Sequence, residues 1–289
     1  MIEIALRRQF YAEEIEAVAK LRTAALVDAL ATVPRERFLR AGPWTVLAET
    51  DFTGAGPAKT RETPDADPAR VYHNIGIAID PARQLFNGQP ATLAPWIDGL
   101  ELKPGARVLH VGAGLGYYTA LMAHCVGPSG RVLAFEADAD LAREASRNLS
   151  AMPWVTVRGE AAADSFDGAF DAILVNAGVT HPLDAWLDAL APGGRMILPM
   201  TASVPAMGPI GKGFVFLLTR TGDGFTARVA GFVAIYSAIG LREEWLNAAL
   251  GKAMMSGPLG AQGVTRLRRD RHEPGIPCWV HGASFCLSA

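Results

Sequence analysis

The chain has 289 residues, half of them apolar and 19% charged, with a net charge of −2. That balance is ordinary for a globular protein and carries no basic footprint for nucleic acid. No apolar run reaches membrane-spanning length and Met1-Ile-Glu-Ile-Ala-Leu-Arg-Arg8 lacks the order of a signal peptide, so a cytoplasmic protein without a membrane or nucleic-acid partner is expected.

Residues 10–31 have the period of one amphipathic helix, with Ile15, Val18, Ala19, Leu21, Ala25, Leu26, Ala29 and Leu30 on one side. Pro34 ends it. Residues 53–70, rich in Gly, Pro, Asp and Thr, read as a long exposed loop, either a mobile cover or an insertion. Val71 to Ile79 reads as a short strand or extended segment, 80–90 as a polar turn-rich link, and Ala91 to Leu100 as a helix. An alternating pattern follows. Strand 107–111 leads to helix 116–126, strand 131–135 to helix 138–151, and strand 155–158 to strand 170–175. Helix 182–190 then turns at 191–194 into strand 195–199. Strands separated by helices predict a mostly parallel sheet covered on both faces. Segments 213–220 and 225–235 flank Thr221-Gly-Asp-Gly224 and predict an antiparallel hairpin. Residues 241–255 suit a further helix, and 256–289 take no assignment.

Three cysteines, Cys125, Cys278 and Cys286, are an odd number and suit free thiols. His272 and His281 lie near the last two, but the spacing matches no zinc pattern and no metal is expected. Arg266-Leu-Arg-Arg-Asp-Arg271 reads as a solvated face.

The most informative stretch is Arg107-Val-Leu-His-Val-Gly-Ala-Gly-Leu-Gly-Tyr-Tyr-Thr119, a strand, a glycine turn and a helix. A dinucleotide fingerprint requires G-x-G-x-x-G. Counted from Gly112 its last glycine falls on Tyr117, which disfavours a nicotinamide-dependent oxidoreductase. The pattern G-x-G-x-G instead suits S-adenosyl-L-methionine (SAM). In such sheets ligands sit outside the carboxyl ends of the strands. Gly112 to Gly116 is placed for the amino-acid part, Glu136 for both ribose hydroxyls, Gly159-Glu160 for the adenine amino group, and Asn176-Ala-Gly178 facing the transferred methyl. The candidate cofactor residues are His110, Gly112, Ala113, Gly114, Gly116, Tyr117, Glu136, Ala137, Gly159, Glu160 and Asn176.

The stretch Leu102 to Tyr117 resembles the SAM-binding core of class I methyltransferases and, more narrowly, that of protein-L-isoaspartate O-methyltransferases. Val33-Pro-Arg-Glu-Arg-Phe38 resembles that family's upstream Arg-x-x-Phe element, and Tyr72 to Ile79 the segment leading to its substrate loop. Gln89-Pro90, Gly193 to Pro199 and Phe232 to Tyr236 match as well, so the resemblance covers roughly residues 30–240. It implies a Rossmann-like α/β fold with a C-terminal antiparallel hairpin and SAM as cofactor. The implied organisation is a helical cap and loop region at 1–80, the methyltransferase domain at 81–240, and an extension at 241–289.

The sequence departs from the family at the acceptor loop. The family places Thr-Ile-Ser before Gln-Pro; here Leu85-Phe-Asn-Gly88 holds no hydroxyl. His110 also replaces a Glu common at the end of the first strand, where it either donates a hydrogen bond or is simply buried. A carboxylate acceptor is nucleophilic without a general base, whereas a hydroxyl or amine acceptor requires one. Asn87, Gln89 and His181 are the catalytic candidates, with His73 a second histidine to consider and loop-capping the alternative for both amides. The expectation is an O-methyltransferase whose acceptor, a peptide, protein or small molecule bearing a carboxylate or hydroxyl, is altered. True isoaspartyl repair and a non-catalytic SAM-binding protein are the alternatives.

Overall fold

The computed structural model describes residues 3–47, 59–203, 208–222, 224–255 and 258–289. In chain order the elements begin with α1 (Ile4–Ala19), α2 (Ala24–Thr32), β1 (Thr45–Leu47), β2 (Arg61–Glu62), β3 (Gly76–Asp80), β4 (Leu85–Phe86) and α3 (Pro90–Gly99). The alternating region holds β5 (Arg107–Val111), α4 (Tyr117–Val126), β6 (Arg131–Phe135), α5 (Ala139–Asn148), β7 (Val155–Arg158), β8 (Phe170–Val175) and α6 (Asp184–Ala189). Then come β9 (Leu190–Ser203), β10 (Ile210–Thr221), β11 (Gly224–Tyr236), α7 (Glu244–Met255), α8 (Pro258–Gln262), β12 (Arg266–Arg268), β13 (Cys278–His281) and β14 (Cys286–Ser288). Backbone packing divides the chain into two compact units: Met1–Ala106 with Ala113–Glu160, and Arg107–Gly112 with Ala161–Ala289. Among the described residues no helix is long and apolar enough to cross a membrane.

In the first unit the single helix expected over 10–31 is two. Lys20 takes a left-handed φ of 52° and closes α1. The buried carboxylate of Asp98 on α3 then accepts from the N–H groups of Arg22 and of the N-cap Thr23 at 3.1 and 2.9 Å, holding the chain where α2 begins. The break shifts the phase of the apolar stripe. Ile15, Leu26, Ala29 and Leu30 are buried as expected, but Val18 and Ala25 are exposed.

The loop expected over 53–70 lies partly outside the described residues, at 53–58. Beyond them the backbone forms β2, paired antiparallel with β1 (Thr45 opposite Glu62), and a 3-10 turn at Pro68–Val71. That turn also shortens the extended segment expected from Val71, so the strand begins only at Gly76. The 80–90 link carries β4, which folds back on β3 to complete the sheet order β2-β1-β3-β4. The parallel pair β6–β7 also belongs to this unit.

In the second unit the strand order is β13-β14-β12-β11-β10-β9-β8-β5. The pairs β5–β8 and β8–β9 are parallel, and the predicted β10–β11 hairpin is antiparallel. β9 begins five residues before the expected Arg195 start, and α6 is shorter than the helix expected at 182–190. The tail, unassigned from sequence, adds three antiparallel strands beyond β11, with Leu267 opposite Phe225.

Candidate active site

The glycine loop belongs by position to both units. In the first, Gly114 and Gly116 have φ values of 55° and 97°, which side-chain-bearing residues rarely adopt. A Cβ at Gly116 would also stand 2.9 Å from Leu149 Cδ1, so the leucine side chain would have to shift to admit one. Asn148 Nδ2 holds the loop by donating to the Leu115 carbonyl at 3.0 Å.

The carboxylate of Glu136 organises the loop within the first unit. Its Oε2 accepts from Gly114 N–H at 2.7 Å and its Oε1 from Asp138 N–H at 3.1 Å. Burial raises its pKa, and those two backbone bonds oppose the rise. A carboxylate has about two acceptor sites on each oxygen, so one remains on each, a match for a vicinal diol. Glu136 N–H donates to the Arg158 carbonyl at 3.0 Å, which sets the end of β6 level with Gly159 and Glu160. Ala137, Gly159 and Glu160 are exposed there, and Glu160 stands 3.9 Å from the Arg158 guanidinium. Ala113 is buried and donates its N–H to Phe135 O at 3.0 Å. The Tyr117 ring is buried too, its hydroxyl 3.1 Å from that of Tyr11.

The second unit brings Gly112 and Asn176 together. Asn176 N–H donates to Val111 O at 2.7 Å and its Nδ2 to Gly112 O at 3.4 Å. A Cβ on Gly112 would lie 3.0 Å from the Asn176 carbonyl oxygen, and its φ is 84°. His110 has no exposed surface. It can brace the strand below the loop but cannot touch a ligand. His181 pairs through Nδ1 with Thr180 Oγ1 at 2.9 Å, and its Nε2 is 3.6 Å from Glu243. Burial lowers its pKa despite Glu243, so the ring favours the neutral form.

The acceptor segment lies in the first unit. Asn87 Oδ1 accepts from Ile77 N–H at 3.0 Å and Gln89 Nε2 donates to Asn74 O at 2.7 Å. Both amides therefore cap the loop. Asn87 Nδ2 is buried without a hydrogen-bond partner and Gln89 Oε1 is not engaged in that bond, so each amide retains one free function. Tyr118 Oη donates to Gly88 O at 3.2 Å. His73 is exposed and contributes its carbonyl, not its ring, to Arg35.

The model of the family described as Protein-L-isoaspartate(D-aspartate) O-methyltransferase matches residues 61–207. A protein-L-isoaspartate O-methyltransferase of Methylorubrum populi is 33% identical over 236 residues, which is 78% of this chain and 94% of the relative. The chain belongs to the protein-L-isoaspartate O-methyltransferase family. A solved member with 20% identity covers 84% of this chain and 69% of its own, at a TM-score of 0.58. The structure of a Plasmodium falciparum protein described in the same terms, 17% identical, covers 80% and 97% at the same TM-score. Those likenesses place the fold in class I of the SAM-dependent methyltransferases.

The chain is thus a SAM-dependent methyltransferase, and the spare acceptor positions on Glu136 and the cramped glycine turn fit that cofactor. When bound, it supplies an electrophilic methyl on a sulfonium. For this family the sequence pattern did not single out Arg242, Asn247 or Glu243. Arg242 Nη1 donates to Gly178 O at 2.6 Å and its Nη2 to Thr201 O and Asn247 Oδ1, both at 2.8 Å. It clamps the segment after β8 from a region outside the family resemblance. A lone Arg at the start of the helix expected over 241–255 carries no periodic signal, and in the structure α7 begins only at Glu244.

Burial pushes the His110 imidazole down to about 3. The unfolded chain, with an ordinary value of about 6.5, takes up a proton there that the folded chain refuses. Stability is therefore lost as pH falls below about 6.5, down to about 3. At about 1.4 kcal/mol per unit, His110 removes about 2–3 kcal/mol between pH 6.5 and 4.5. Denaturant unfolding of His110→Gln across that range should show a flatter acid limb. A slope equal to that of the parent protein rejects the assignment.

Proposed function

We propose that the chain transfers the methyl group of SAM to the free carboxylate of an L-isoaspartyl residue in a peptide or protein. The observation that carries this reading is that the family match, over 61–207, runs through the acceptor segment Leu85 to Pro90 as well as the glycine loop. In this reading Glu136 takes the ribose hydroxyls and the 112–116 loop the amino-acid part. Glu160 takes the adenine amino group, and Asn176 lies beside the methyl. The ionised acceptor attacks in line without a base, so the work of the protein is alignment. His181 then has no proton to remove.

A second reading, an altered acceptor, is favoured by one observation. Leu85 to Gly88 contains no hydroxyl, and the adjoining amides of Asn87 and Gln89 are turned onto backbone. If that acceptor is a hydroxyl, His181, kept neutral by burial, is the base within reach of the segment after β8.

Methyl transfer from labelled SAM to an isoaspartyl peptide, with the matching aspartyl peptide as control, tests the proposal. Selective labelling of the isoaspartyl peptide is expected. No labelling while calorimetry shows SAM binding would overturn the isoaspartyl assignment and leave the altered acceptor.

A further inference from the structure

We propose that His272, Cys278, His281 and Cys286 form a four-coordinate zinc site that pins the C-terminal strands. The inference is independent of the methyl acceptor. One ligand atom from each residue lies within 4.8 Å of every other. A tetrahedron with Zn–S bonds near 2.3 Å and Zn–N bonds near 2.05 Å has edges of about 3.3–3.8 Å, so only a small contraction closes the set.

The spacing along the chain, His-x5-Cys-x2-His-x4-Cys, matches no zinc pattern; the β13–β14 hairpin nevertheless brings the ligand atoms together. His281 stands opposite Cys286 in that ladder, and a register shift between Cys278 and Val280 offsets Cys278 from the regular alternation. His272 is prepared as a ligand. Its Nδ1 donates to the Asp270 carbonyl at 3.0 Å, which fixes the tautomer and leaves the Nε2 lone pair 3.5 Å from Cys278 Sγ. The His272 and His281 rings stand at 89° with centroids 4.7 Å apart, so they do not stack over each other. His281 Nδ1 is buried without a hydrogen-bond partner, a state that costs free energy unless another group satisfies it. Both cysteines are free thiols and Cys286 is buried.

Two thiols and two neutral imidazoles are the donor set of a closed structural zinc site. Zn2+ displaces one proton from each thiol to solvent, and the two thiolates balance its charge. With four protein ligands no position is open for catalysis. The gain is structural, since β13, β14 and the loop that leads into β13 become cross-linked at the edge of a sheet. Phe285, within the hairpin turn, stacks on His181 with centroids 6.5 Å apart, so the pinned tail also supports the segment after β8.

The test uses the 289-residue chain, purified without a polyhistidine tag and supplied with zinc. Elemental analysis should give about one zinc per chain, falling at least tenfold in the Cys278→Ser/Cys286→Ser variant. Chelation of the parent protein should lower its Tm by about 5 °C or more, reversibly on adding zinc back. Should the variant fail to fold, cobalt(II) titration of the parent protein decides. Thiolate-to-metal charge transfer with tetrahedral d–d bands, at one equivalent, is the expected result. A Cys278–Cys286 disulfide, two free thiols without metal, or zinc that persists in the folded double variant would each overturn the proposal.

Discussion

Replacing Glu136 with Ala is expected to weaken SAM binding by at least about 100-fold. A hydrogen bond to a charged group contributes about 1.5–3 kcal/mol, and two ribose hydroxyls would be released together. That sum of about 3–6 kcal/mol corresponds to about two to four decades in Kd. The loss has a second source. Without the carboxylate, Gly114 N–H and Asp138 N–H lose their acceptors, and the glycine turn loses the bond that sets its height over β6. Glu136→Gln separates the two effects. The amide keeps one acceptor oxygen but sets an NH2 group against one of those two backbone donors, so binding should fall, though less than in the alanine variant. Isothermal calorimetry with SAM, with circular dichroism to confirm folding, makes the measurement. An alanine variant that binds SAM within threefold of the parent protein would remove Glu136 from the proposed site.

The second large effect falls on stability. Arg35 has no exposed surface. Its Nη1 donates to Val71 O and His73 O at 2.8 and 3.0 Å, and its Nη2 to Ile75 O at 2.7 Å. Its guanidinium lies 5.8 and 5.7 Å from the ring centroids of Tyr11 and Tyr117. One side chain therefore holds the backbone that leads into β3, bonding the carbonyls of Val71 and Ile75 and adding to the bond that His73 O already accepts from Ile75 N–H at 2.8 Å. Arg35→Leu keeps part of the volume and removes every donor. At about 1.5–3 kcal/mol for each hydrogen bond from a charged donor, the loss of three should cost at least about 3 kcal/mol. For a chain of this size that is a Tm lower by about 6–12 °C. Arg35→Lys, a point donor in place of a planar fork, should fall between the two. Thermal unfolding followed by circular dichroism checks this, and a leucine variant melting within 2 °C of the parent protein would contradict it. Because Gln89 is tied to Asn74 within the same backbone stretch, the variant should also disturb the acceptor loop.

Arg35 and Glu136 differ in how much of their role was legible beforehand. Glu136 ends an apolar strand run after a glycine turn, so local pattern and topology place it at a strand end without any knowledge of packing. The same holds for the alternation from Arg107 to Val175 and for the β10–β11 hairpin, because periodicity, glycines and turn residues act over a few positions. Arg35 belongs to a recognisable short element, but its burial and its three carbonyl partners come from residues 36 to 40 positions away.

The amino-acid sequence by itself determined the order of the central strands and helices, the glycine turn, the acid after β6 and the family. These rest on local sterics and on hydrophobic period. Only the tertiary structure decided the rest. It broke the first helix, because Asp98, 75 positions from Thr23, holds the start of the second half. It turned Asn87 and Gln89 into loop caps, because nearby backbone groups required partners. It buried His110 and the Tyr117 ring beyond the reach of a ligand. It clamped the segment after β8 with Arg242, and it gathered two histidines and two cysteines around one hairpin. The helix break and the Arg242 clamp depend on which distant segments share a neighbourhood, and the loop caps and the histidine–cysteine group on how a short stretch folds back on itself; both are properties of the packed chain.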